Sequence, residues 1–445
     1  MGMTNPASLT GRCWRWKMEN DETREARWFR HFPLLFLLCA LPLAAQDLSP
    51  YPRVASKKGL QVQMIDDALA LGVKHAALNC PVAPLIDPEP LPDSILWKCD
   101  GREYAFRPAA VAALDQRVKP LSEAGVIVSL IVLNYAPADP ARAAILLHPR
   151  YDPAAPNKMS AFATGTPDGA RWFSAIMDFL AARYSDPAAP HGRVWNYIIG
   201  NEVNSHWWWN NMGHATGDEV ARDYEHTVRL AHDAVRRHSA NARVFLSLEH
   251  YWTGRYGPRE DQACSGRAFL ESFAREARAH GDFDWHLAYH PYPEDLTECR
   301  FWRDPHATGD DAAEVISFKN LEVLTRYFER PELLFQGQPR RIILSEQGFH
   351  CNESRPDGER DQAAAFAYAW VKVARLPGID AFILHRHVDH AQEGGLNLGL
   401  WTHLPGTIAD PGRKRQMYEV FRAADTPGWE GAFAFALPVV GLEGW

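Results

Sequence analysis

Eight short apolar runs recur along the chain, with stretches of helical periodicity between most of them, and no other feature restricts the fold as tightly. The runs are "GLQVQM" from Gly59, "GVKHAALN" from Gly72, "GVIVSLIVLN" from Gly125, "VWNYIIGNE" from Val194, "ARVFLSLEHYW" from Ala242, "DWHLAYHPY" from Asp284, "RRIILSEQGF" from Arg340 and "IDAFILHRHVD" from Ile379. Among the intervening stretches are "ARWFSAIMDFLAARYS" and "GDEVARDYEHTVRLAHDAVRRH", with apolar residues at helical spacing. Leu130–Leu133 and Ile342–Leu344 are apolar throughout, as strands buried on both faces are. Strands alternating with helices predict a parallel sheet, and eight such units predict an α/β fold closed into a (β/α)8 TIM barrel. The rival, a doubly wound open sheet, would carry a glycine-rich phosphate loop after its first strand, and "GLQVQMIDDALALG" has none.

Composition bounds the partners. Apolar residues make up 46% of the 445 and charged residues 23%, so a large core can be buried. The net charge of −8, with no Lys/Arg stripe, argues against nucleic acid. Arg27 and Arg30 precede an apolar stretch from Phe32 to Leu43, and Ala44 and Ala45 follow. That order predicts a signal leader over 1–45 with cleavage near Ala45, and a single domain over 46–445. The expected location is secreted or periplasmic. The apolar stretch is short for a bilayer, so no stable span is expected after cleavage, whereas an uncleaved leader would act as an anchor. Met18 is an alternative start. Of seven cysteines, Cys13 and Cys39 fall in the leader. Cys80, Cys99, Cys264, Cys299 and Cys351 remain, an odd number that in an oxidising compartment predicts one or two disulfides and a free thiol.

Two long connections leave strand C-termini: a proline-rich one between Asn79 and Arg107, with a hairpin expected at Asp100 and Gly101, and another between Tyr135 and Gly169. Barrel enzymes build their sites at that end, so both are candidate cleft walls.

Two strands end in glutamate after a buried run: "YIIGNE" at Glu202 and "RIILSE" at Glu346. By strand count they are the fourth and seventh, on opposite sides of the mouth. Two carboxylates facing across a cleft are the minimal machinery for cleaving a glycosidic bond, one donating a proton and the other attacking. A single glutamate at a strand end reads as an ion pair or a helix cap. Two in corresponding positions, one after Asn and the other before Gln-Gly, favour catalysis.

"GNEV" on the fourth strand, "LSEQGF" on the seventh and "YHPY" on the sixth resemble the retaining glycoside hydrolases of clan A, over roughly Gly59 to the C-terminus; the likeness is strongest to an uncharacterised bacterial family within that superfamily. The resemblance implies a catalytic barrel with Glu202 as acid/base and Glu346 as nucleophile. It also implies that Asn201 meets a sugar 2-hydroxyl, Tyr292 orients Glu346 and His290 lines the same wall. No cofactor or metal is implied, and the partner is a carbohydrate. The chain departs from the pattern at Asn79, where many members have arginine, and at "LHRHVDH", where they have tryptophan; Arg386 is the candidate replacement charge.

Asn134 and Trp252, at the ends of strands three and five beside Tyr135, Glu249, His250 and Tyr251, are further candidate substrate contacts, as are His385 and Arg386. Trp207–Trp209 follow the fourth strand, and at least one is expected to stack on a sugar, with Trp207 the first candidate. Trp401 is either a cleft platform or core. His385 and His387, two apart on a strand, would share a face as metal ligands do, which supplies one rival, a metal-dependent hydrolase. The other rival is a carbohydrate-binding barrel without turnover.

Overall fold

All eight apolar runs form strands. In the computed structural model, which describes residues 46–445, these are β1 (Lys58–Gln61), β2 (His75–Pro81), β3 (Ile127–Leu133), β4 (Asn196–Ile199), β5 (Arg243–Glu249), β6 (Trp285–His290), β7 (Ile342–Leu344) and β8 (Ile379–Leu384). Neighbours in sequence pair in parallel, and β8 closes onto β1 with Leu384 opposite Leu60. The (β/α)8 expectation holds. The leader, with Arg27, Arg30, the 32–43 run and the cleavage point near Ala45, lies outside the described residues.

A helix packs outside after each strand: α1 (Ile65–Ala70), α2 (Pro108–Glu123), α3 (Pro167–Ser185), α4 (Gly217–His238), α5 (Gly266–Ala279), α6 (Leu321–Tyr327), α7 (Gly358–Arg375) and α8 (Gln416–Ala423). Local chemistry sets their ends. At the start of α4 the Thr216 hydroxyl accepts from the Glu219 N–H at 3.3 Å, while Glu219 Oε2 accepts from the Thr216 N–H at 2.8 Å. Asp218 and Glu219 in its first turn and Arg236, Arg237 and His238 in its last complement the helix dipole. None of the described helices is long and apolar enough to cross a membrane.

The barrel interior is filled by Ile131, Ile198, Phe245, Ala288, Ile343 and Ile383, with alanine leaving room for the one phenylalanine. The N-terminal mouth is closed by polar groups. Tyr51 donates to Asn196 Oδ1 at 3.0 Å and lies under the Arg243 guanidinium, 3.6 Å from ring centroid to Cζ, while Arg243 pairs with Asp380 at 2.8 Å. The opposite mouth is open.

Between β2 and α2 the expected hairpin forms: Ile95–Cys99 pairs antiparallel with Arg102–Phe106, and Asp100 and Gly101 both take positive φ, 48° and 75°. Ile86–Asp87 adds a third strand. The disulfide expectation is not met. Cys80, Cys99, Cys264, Cys299 and Cys351 are all free, carried by separate elements, and all but Cys264 are buried. Burial pushes their thiols upward, to about 12 for Cys80 and about 11 for Cys351, which disfavours the reactive thiolate.

Phe245→Ala removes the largest interior side chain and leaves a cavity the surrounding strands cannot close. We expect a loss of about 3–5 kcal/mol in unfolding free energy, measured as a fall in denaturant midpoint at unchanged m-value.

Candidate active site

Glu202 is aimed by a sharp turn. Tyr197–Ile199 are fully buried; the chain then turns at Gly200, with φ of 74°, and Glu202 itself sits in the left-handed region with φ of 41° and ψ of 50°. Such a conformation is unfavourable for a residue with a Cβ and persists only where surroundings hold it. Here the Glu202 N–H donates to Ser247 Oγ at 3.1 Å, and its carboxylate accepts from His290 Nδ1 at 2.8 Å.

His290 is buried at the end of β6. Its Nε2 faces Ser345 Oγ at 3.1 Å and Ser247 Oγ at 3.5 Å. Burial disfavours its cation, but the bond to Glu202 and the charges of Glu346 and Glu202 outweigh that and raise its pKa above the ordinary value. Glu346 follows β7 by two residues. Beside it Gln347 is buried and donates to the Ile383 carbonyl at 2.5 Å, and a Cβ on Gly348 would lie 2.2 Å from the His385 carbonyl. The glycine of "LSEQGF" thus lets β7 and β8 approach. Tyr292 donates to Glu346 Oε1 at 3.3 Å, and burial, with Glu346 next, raises its phenol well above the usual value. Glu202, His290 and Glu346 offer ligand atoms within 4.8 Å of one another, the one such group among the described residues. Two carboxylates and a histidine suit a divalent cation in principle. In the structure His290 Nδ1 is taken by its hydrogen bond to Glu202 Oε1.

Glu346 opens onto a cleft of about 450 Å³. Asn201, His385, Arg386, Gln61, Asn79, Tyr135, Trp209 and Glu393 line it. Of the residues expected from sequence, Asn201, His385 and Arg386 reach this cleft, with His290 and Tyr292 at the paired carboxylates. Three do not. Asn134 is buried, its amide donating to the Leu146 and Ala161 carbonyls at 2.7 and 3.0 Å, so it braces the loop after β3. Trp252 is fully buried and packs edge-on to Tyr327, with centroids 4.8 Å apart. Trp207 stacks on His214 at 4.6 Å, leaving Trp209 as the tryptophan in the cleft. Trp401 donates to Asp67 at 3.0 Å and packs on Tyr418.

His385 and His387, the pair behind the metal-dependent rival, are each engaged with different partners. His385 bonds Gln61 and, at 3.0 Å, Glu393. Both nitrogens of His387 are occupied elsewhere: Nδ1 accepts from the Gln63 and Met64 N–H groups, and Nε2 faces Asp67 at 2.9 Å.

Glu393 was not singled out in sequence; it follows Arg386 by seven residues in "HAQEGG", where only the glycine turn hints at a return to the cleft. Burial opposes its ionisation, but His385 and Arg386 outweigh that and hold it at about 2. Glu249 lies behind Glu202. It accepts from Asn204 Nδ2 at 2.5 Å, Ser205 Oγ at 3.2 Å and the Tyr251 N–H at 2.6 Å, yet burial, and then the charge of Glu202, push its carboxyl up to about 8.

That shift sets a pH dependence. The unfolded carboxyl ionises near 4.5 and the folded one near 8, so its contribution to stability is complete below 4.5 and is lost as pH rises to 8. The slope is at most about 1.4 kcal/mol per pH unit. Glu249→Gln should therefore flatten the fall in unfolding free energy across that window; an unchanged slope would show that Glu249 is ionised in the folded chain.

The family of unknown function DUF5722 matches residues 50–445. No curated protein matches the chain. Among solved structures, a glucosidase from Croceicoccus marinus is similar at 14% identity and a TM-score of 0.50, over 85% of this chain and 67% of its own. A family 39 glycoside hydrolase from the gut symbiont Bacteroides cellulosilyticus WH2 aligns at 12% identity and a TM-score of 0.49, and a β-glucosidase from Pyrococcus furiosus at 13% and 0.48. The first covers 81% of this chain and 59% of its own, the second 84% and 86%. The chain thus spans well under two thirds of the family 39 protein. At these identities the likeness is one of fold.

Proposed function

We propose that this chain, which belongs to the family of unknown function DUF5722, hydrolyses glycosidic bonds with retention of anomeric configuration. One observation carries the reading: Glu202 and Glu346 present oxygens within 4.8 Å of each other at the open end of the barrel. Retaining glycosidases hold their carboxyls about 5–5.5 Å apart, whereas inverting ones need about 6.5–9.5 Å to admit a water. Glu346 attacks the anomeric carbon while Glu202 gives its proton to the departing glycosidic oxygen. Glu202 then takes a proton from water, whose oxygen displaces Glu346 and restores both carboxyls. One water is consumed for each bond cleaved. Tyr292 fixes the orientation of Glu346, His290 that of Glu202, and Asn201 on the cleft wall meets a sugar hydroxyl. The substrate is a carbohydrate, the reaction takes place outside the cytoplasm, and no cofactor takes part.

The test is hydrolysis of aryl glycosides and polysaccharides, with product stereochemistry followed by NMR. Retention is expected, with activity lost in Glu346→Gln and kcat lowered about 10²–10⁴-fold in Glu202→Gln. Inversion, or a Glu346→Gln variant at wild-type rate, overturns the assignment. A sugar-binding barrel without turnover would bind the panel and cleave none of it. The Glu202, His290 and Glu346 donor set supports one other reading, a metal-dependent hydrolase, and full activity in EDTA decides against it.

The tryptophans separate by the same assay. Trp209→Ala should raise KM about two- to tenfold through loss of a stacking face. Trp207→Ala should lower thermal stability and leave KM in place.

A further inference from the structure

Beside the cleft lies a smaller pocket of about 150 Å³, and the two share Gln61, Asn79 and Arg386 as walls. It exists because the β1–β2 ladder stops at Gln61 opposite Ala77, after which the chain turns into α1 and leaves β2 uncovered as far as Asn79. Arg117 reaches this gap from α2. Its Nη2 donates to the Val62 carbonyl at 2.5 Å, the guanidinium's one protein hydrogen bond among the described residues. No carboxylate pairs with it there, in contrast to Arg386, held by Glu393, and Arg243, held by Asp380. The pocket is lined by two guanidiniums, three side-chain amides and His387, and by no Asp or Glu.

We infer that this pocket receives an anionic substituent of the sugar bound in the adjoining cleft, a carboxylate or a sulfate ester, and that Arg117 supplies the charge that recognises it. The inference rests on the carbohydrate reading above and narrows it to acidic sugars. A half-buried cation without a counter-charge is costly, and an arriving anion relieves that cost while gaining charge-assisted hydrogen bonds. Burial alone shifts the pKa of Arg117 downward, with no carboxylate acting in the other direction. Asn79 Nδ2 and the free edge of Arg386 add donors, since among the described residues the Arg386 guanidinium is bonded only through Nη1. The volume suits the substituent alone: at about 30 Å³ per water it holds about five waters, enough for one compact anion with residual hydration.

The experiment measures dissociation constants of D-glucose, D-glucuronate, D-glucose 6-sulfate and inorganic sulfate by titration calorimetry or ligand-observed NMR. The full chain is compared with Arg117→Gln, Arg117→Lys and Asn79→Asp. At least one anionic sugar is expected to bind tenfold or more tightly than glucose, and whichever binds tighter identifies the substituent. That anionic-to-neutral ratio should fall about tenfold in Arg117→Gln, recover in part in Arg117→Lys, and fall again in Asn79→Asp, where a negative charge joins the wall. Thermal midpoints taken alongside show that each variant is folded. A ratio near one in the parent, a ratio unchanged in Arg117→Gln, or sulfate alone binding as tightly as glucose 6-sulfate each overturns the proposal. The two readings fail separately. Arg117-dependent binding without hydrolysis of any glycoside would sink the glycosidase and keep the pocket, whereas hydrolysis with no anionic preference would do the reverse.

Discussion

Closure of β8 onto β1 is the constraint from which the rest follows. A parallel sheet satisfies its backbone only through neighbours on both sides, and the pairing of Lys58 with Phe382 and Leu60 with Leu384 leaves no barrel strand at an edge. Registers carried around the ring bring Glu249 level with His290, and Leu344 level with Tyr289. Once closed, the barrel has two ends and a dry interior. One end is taken by Tyr51, Arg243 and Asp380; the first polar residues beyond the other end have only one place to converge.

That convergence explains why the two glutamates are legible in the sequence. A strand buried on both faces must be apolar along its length, so a carboxylate placed directly after it belongs to the rim. The same rule misleads where the chain folds back over the rim. Asn134 occupies the equivalent place after β3, but two carbonyls from the loop that follows take its amide, and nothing in "IVLNY" announces that loop's path. Trp252, past the end of β5, is drawn under Tyr327 for a similar reason.

The tryptophan run fails to resolve for a different reason. Trp207–Trp209 lie in a one-turn helix, His206–Trp209, where successive side chains diverge by about 100°. Three indoles in a row therefore take three directions: onto His214, onto Tyr256 and into the cleft. No amphipathic period can be read from so short an element. The eighth strand carries the same lesson, since the simple alternation that would align His385 with His387 assumes a regular strand, and β8 ends at Leu384.

Trp209 also packs against the interior residues of the barrel, as the aromatic cover on a stack of aliphatic layers. The floor of the cleft and the roof of the core are thus shared: Trp209 has a dry face and a wet one, and Ile131, Leu133 and Met159 of the interior line the cleft beside it. Substitutions in the layers below therefore bear on the shape of the cleft floor as well as on the packing of the core. A ligand lying on Trp209 would in turn extend the packed interior by one more layer, making occupancy of the cleft and cohesion of the barrel two views of a single stack.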